Sequence, residues 1–147
     1  MASTILDPTA TLIAAVLSGL AATPTVKAYA TDPGYAGLDA LPAGVVGVPE
    51  IDRQDVQERE SQLGTNDWTI TYPVALFFDL ADTATAQAQA TQTVEAFIKA
   101  IDTATLSVSD ATIEDAKVVS ATPDEIADSA RPMLVYDCRV VVFKLVT

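Results

Sequence analysis

Every even position from Trp68 to Leu80 is apolar: Trp68, Ile70, Tyr72, Val74, Leu76, Phe78 and Leu80, with Thr69, Thr71, Pro73, Ala75, Phe77 and Asp79 between them. Side chains alternate across a strand, so this run commits one face of a β-sheet to burial and fixes the core around which the rest must pack. Pro73 cannot donate a ladder hydrogen bond, which predicts an edge or a bulge at that point. A strand from about Pro132 to Val146 repeats the pattern, with Leu134, Tyr136, Cys138, Val140 and Val142 in phase. Asp137 and Arg139 mark its other face as solvated or bonded to a partner.

Composition narrows what such a scaffold does. The 147 residues fit one domain, 1–147, long enough to bury a real core, and half of them are apolar. Eight basic against 20 acidic residues give a formal charge of −12. That balance repels nucleic acid and anionic membranes, because phosphate binding needs clustered Lys and Arg. There is no histidine, which removes the commonest general base and the commonest metal ligand. The lone Cys138 has no internal disulfide partner and lies on the apolar phase of its strand, as a core thiol would.

The segment from Leu12 to Ala22 is apolar enough to resemble a signal peptide, but no Lys or Arg precedes Lys27 and Asp7 stands where positive charge is required. It is also too short for a transmembrane helix. The expectation is a helix of a cytoplasmically made protein, started by Asp7 and Pro8 and ended at Pro24, with Leu12, Ile13, Val16, Leu17 and Leu20 on one face. A short strand near 25–30 and a turn at Asp32-Pro33-Gly34 follow, then the apolar stretch Val45, Val46 and Val48.

From Glu50 to Asn66 the chain turns polar and charged, which predicts a long loop at about 50–66. Its charged residues Glu50, Asp52, Arg53, Asp55, Glu58, Arg59 and Glu60, together with Asp137 and Arg139, are the candidate assembly contacts. A helix from about Asp82 to Asp102 buries Ala90, Val94, Phe97, Ile98 and Ile101 and carries a Glu95–Lys99 pair. A strand near 113–121 and an acidic loop at 123–128 complete the pass. The expected fold is α+β, a single mixed or antiparallel sheet of about four to five strands with two main helices packed on one face.

Chemical motifs are absent or weak. Gly44-Val45-Val46-Gly47 has the spacing of a KH-domain GXXG loop, but two valines in an acidic chain suit a strand end better. The acids of 50–60 lack the spacing of a calcium loop. Glu114 with Asp115, and Asp124 with Glu125, are adjacent acids that a strand points to opposite faces and a loop leaves in water. No P-loop, nucleophile elbow, Cys-x-x-Cys or dinucleotide fingerprint occurs, so no catalytic, metal or cofactor set is assigned and no cofactor is expected.

The order of local patterns resembles the tail terminator, or tail completion, proteins of long-tailed bacteriophages, particularly those of phages of actinobacteria. It rests on the N-terminal Ala/Leu helix, Lys27-Ala28-Tyr29 with its Pro-Gly turn, and Ala43-Gly44-Val45-Val46-Gly47-Val48-Pro49. It continues through the polar loop, Trp68-Thr69-Ile70-Thr71-Tyr72-Pro73-Val74, the Gln- and Ala-rich helix, Leu106-Ser107-Val108 and the apolar final strand. The resemblance implies a non-enzymatic virion protein that forms a hexameric ring, caps the finished tail tube and offers the surface that joins tail to head. Implied partners are further copies of the chain, the tail tube protein and a head–tail connector protein, with DNA passing through the lumen and no membrane. A connector or stopper, or a small carboxylate-based enzyme or ligand-binding domain, are the alternatives.

Overall fold

The computed structural model describes residues 3–20, 25–34, 37–53, 67–80, 82–104, 106, 108, 111–126 and 132–146. In chain order the elements are α1 (Leu6–Ser18), β1 (Lys27–Tyr29), β2 (Ala43–Val46), β3 (Glu50–Arg53), β4 (Asp67–Asp79), α2 (Thr83–Thr103), β5 (Ala111–Ile126) and β6 (Met133–Val146). The strands form one six-stranded sheet of order β1-β2-β4-β6-β5, with β3 also paired to β4. Only the β1–β2 pair is parallel, so the sheet is mixed.

The α+β class agrees with expectation; the strand count does not, being six rather than about four to five. The added strand is β3, whose charged Glu50–Arg53 the sequence places in a loop. Pairing with Trp68–Thr71 overrides its poor strand propensity. Likewise Pro123–Ile126, expected in an acidic loop, lie in β5 opposite Met133–Tyr136. Both departures have one cause: a long apolar strand imposes its ladder on neighbours whose own composition favours a turn.

Even-numbered residues from Ile70 to Phe78 of β4 and from Leu134 to Val142 of β6 face the helices, and Ile70, Tyr72, Val74, Leu76, Phe78, Cys138, Val140 and Val142 form one buried cluster with Ile13 and Leu17 of α1 and Ala90, Phe97 and Ile101 of α2. Ile98 is only half-buried beside it. The face without helices has its own small cluster near one end, where Leu38 lies with Ala43, Val45, Phe77, Met133 and Val135. Phe77, although out of phase with the even residues, is therefore buried too.

The helix ends differ from one another in chemistry. At α1 the Ser3 hydroxyl accepts from the Leu6 and Asp7 N–H groups, each at 3.0 Å, so the expected Asp7 cap is replaced by a residue one turn earlier. Asp7 sits instead in the first turn, where the helix dipole favours negative charge. The helix stops at Ser18, short of Pro24, with the Gly19 N–H donating to Ala15 and Val16 carbonyls. At α2 the Asp82 carboxylate accepts from the Ala84 and Thr85 N–H groups at 3.1 and 3.3 Å, a full N-cap.

Pro73 sits where the β2 and β3 ladders meet. Val46 pairs with Val74 and Glu50 with Thr71, so three residues, Gly47, Val48 and Pro49, stand against two of β4. The Gly47 N–H donates to the Pro73 carbonyl at 2.7 Å. On a strand the N–H and C=O of one residue point the same way, so the donor that proline lacks would have aimed into this interruption. A proline in the middle of the sheet thus loses no bond to β6.

Candidate functional site

The helix-free face carries a concavity of about 670 Å³. Asp137 and Arg139 enter it from β6, where they pair with Thr122 and Ser120 of β5 on one side and with Ala75 and Pro73 of β4 on the other. Its floor is apolar, from Val45, Phe77 and Val135, and Asp32 and Asp124 join Asp137 and Arg139 around it. Three carboxylates against one guanidinium give the concavity an acidic rim.

Of the nine expected contact residues, the structure brings Asp137 and Arg139 together there. Glu50 and Asp52 share the same face, beside Thr71 and Thr69, but do not line the concavity. Arg53, opposite Trp68, lies on the helix side. Asp55, Glu58, Arg59 and Glu60 lie outside the described residues. Asp32 and Asp124 were not among the expected contacts. Asp124 was hidden by its place in a supposed loop, and only the β5 register reveals which way it faces.

The remaining polar features are explained by the fold. Lys27 and Asp39 form an exposed ion pair at 2.7 Å, and Tyr29 donates to the same carboxylate oxygen at 2.8 Å. The Lys27 hydrogen bond, then that of Tyr29, hold the Asp39 carboxyl below its ordinary value. Glu95 and Lys99 make the expected i,i+4 pair at 3.1 Å. Burial, with a smaller push from Asp137, raises the Cys138 thiol to about 12, so it stays protonated and inert at neutral pH.

Neither glycine of Gly44-Val45-Val46-Gly47 needs a nucleic acid to account for it. A Cβ on Gly44 would lie 2.9 Å from Leu17 Cδ1, where α1 rests on β2, and one on Gly47 would lie 2.9 Å from Pro73 Cγ. Adjacent Asp124 and Glu125 pair with Val135 and Leu134 and so leave the sheet on opposite faces, unable to share a proton. Among the described residues no three His, Cys, Asp or Glu converge as a metal site, and no helix is long and apolar enough to cross a membrane.

No protein-family model matches the chain, and no curated protein matches it. The fold is similar to that of a chain in a solved structure titled "Virion of native gene transfer agent (GTA) particle", with a TM-score of 0.51 at 17% identity over 89% of this chain and 84% of that one. At that identity the likeness is one of fold.

Proposed function

We propose that the chain is a structural virion protein that closes the head-proximal end of a phage tail tube as a ring and offers the surface on which head and tail join. The observation that carries this reading is the fold shared over 89% of the chain with a component of a virion particle. The resemblance to tail terminators sharpens virion protein to ring subunit. A ring subunit needs edges and faces for its neighbours, and its lumen must let DNA slide. A charge of −12 per copy suits that passage, because acidic walls do not hold phosphates. The expected partners are further copies, the tail tube protein and a connector protein, with Glu50, Asp52, Arg53, Asp137 and Arg139 among the contacts. A connector or stopper between portal and tail is the second reading, since the same fold likeness accommodates it.

Light scattering after size exclusion, with negative-stain images of the protein alone and mixed with purified tail tubes, tests the reading. Rings, free or seated on tube ends, are expected. A protein that stays monomeric and never binds tubes overturns it, and subunits found on DNA-filled heads that lack tails transfer the assignment to the connector.

A further inference from the structure

The hollow on the helix-free face follows from a local shortage of bulk. Val45 of β2, Ala75 of β4, Asp137 of β6 and Thr122 of β5 stand in one row across the sheet, and Pro73, Arg139 and Ser120 form the next. Around the two charged side chains these rows hold mostly small ones, so the floor sinks there, with Phe77 and Val135 at its apolar end. From β2 to β5 the row spans three strand spacings, about 14 Å. An α-helix with its side chains is about 10 to 12 Å across, so one helix fits the width. A further strand does not suit the place. β2 is bonded to β1 and β4, β4 to β2 and β6, and β6 to β4 and β5, so the strands beneath the hollow have no free edge to offer it. An extended segment laid on Val45, Phe77 and Val135 would leave its own N–H and C=O groups unpaired, whereas a helix bonds its own.

Charge states what such a helix must carry. Asp137 lies opposite Thr122 and Asp124 opposite Val135, which makes the two acids diagonal neighbours about 7 to 8 Å apart. Asp32 joins them at the rim from the turn after β1. One oxygen of Asp32 accepts from the Gly34 N–H and one of Asp124 from the Glu125 N–H, each at 2.8 Å. Among the described residues none of the three carboxylates, nor the Arg139 guanidinium, takes part in an ion pair. All four side chains are exposed, and three of the four want a cation.

We propose that this hollow seats an amphipathic helix of another virion protein, its apolar stripe on Val45, Phe77 and Val135 and its flanking Lys or Arg side chains on Asp32, Asp124 and Asp137. A second copy of the chain matches the site poorly. Of its described basic residues, Lys27 and Lys99 are held in ion pairs, Arg53 has a partner of its own, and Lys117 and Arg139 stand on this same face. The proposal rests on the virion reading and names where a partner protein docks.

The test is photo-crosslinking from the side of the hollow. Exposed Thr122 is replaced by benzoylphenylalanine in the full-length chain, which is irradiated with purified tail tubes and, separately, with DNA-filled heads that lack tails. Mass spectrometry is expected to map the adduct to a helix of a tube or head protein that carries Lys or Arg beside an apolar stripe. Adducts to this chain itself, to nucleic acid or to a segment without basic residues overturn the proposal, as does bound protein that gives no adduct. Each of those outcomes leaves the virion reading standing, whereas wild-type protein that binds neither tubes nor heads overturns both.

Charge reversal supplies the second arm. Asp124→Lys with Asp137→Lys should weaken binding to the cross-linked particle about tenfold or more at low salt. Glu95→Lys with Asp102→Lys makes an equal change of charge on exposed positions of α2 and should leave binding unchanged. Thermal melts confirm that both variants fold. Equal losses from the two pairs would trace the effect to net charge and overturn the hollow as the seat.

Discussion

The Tyr72 hydroxyl donates to the main-chain carbonyl of Leu6 at 2.8 Å, joining the middle of β4 to the first residue of α1. Tyr72 is fully buried, and burial is the main cause raising its phenol to about 12. The residue therefore works twice, as core volume and as a tether for the helix. Tyr72→Phe keeps the ring and removes the tether, and should cost about 1 kcal/mol. Tyr72→Ala removes both and should cost about 3 to 5 kcal/mol. Urea unfolding midpoints of the two variants measure the split.

Thr93 presents the opposite case. It is 1% exposed in α2, and its hydroxyl has no hydrogen-bond partner. A buried hydroxyl without a partner is a desolvation cost with nothing returned, so Thr93→Val should stabilise the protein by roughly 1 kcal/mol. A lower unfolding midpoint for this variant would show that the hydroxyl is bonded in solution.

At Gly44 the helix lies so close that no side chain fits. Gly44→Ala would bring a Cβ to 2.9 Å from Leu17 Cδ1 and 3.2 Å from Leu76 Cδ2, both in the buried cluster. Relieving those contacts should cost about 1 to 3 kcal/mol by overpacking. Differential scanning calorimetry checks this, and pairing the variant with Leu17→Ala should recover part of the loss if the clash is with α1.

The Asp82 cap makes stability depend on pH. Its hydrogen bond with the Thr85 hydroxyl, followed by those from the Thr85 and Ala84 N–H groups, lowers the folded carboxyl below its ordinary 3.8. A group lowered in the folded state contributes in full above the unfolded value and loses that contribution as pH falls through the folded one. Wild type should therefore exceed Asp82→Ala in Tm at neutral pH, and the gap should narrow below about pH 4. Thermal melts across the acid range follow it, and a gap independent of pH would remove the carboxylate as its source.

The elements with strong internal periodicity were legible. The alternation of 68–80 and 134–142 marked both central strands, and Asp82 with the spacing of Ala90, Val94, Phe97 and Ile101 marked α2. What stayed hidden was decided between segments. Glu50–Arg53 and Pro123–Ile126 read as loop because their charges and proline disfavour a strand, and only the partners Trp68–Thr71 and Met133–Tyr136 hold them extended. The candidate site was half-legible for the same reason. Asp137 and Arg139 announced themselves by falling out of phase with an apolar strand, while Asp124 faces the same concavity only because β5 pairs with β6 in that register, and Asp32 reaches it from the turn after β1.

The two strands at the middle of the sheet are far apart along the chain, with α2 and β5 between β4 and β6. As the chain is made, β4 can pair with β2 and β3 and receive α2, but its whole other side waits for β6. Closing so long a loop costs entropy before the ladder repays it, which places the sheet's completion late and makes it slow. Until then the backbone of β4 offers an open edge to any other nascent copy. Correct folding therefore requires β6 to reach β4 before a neighbouring chain does.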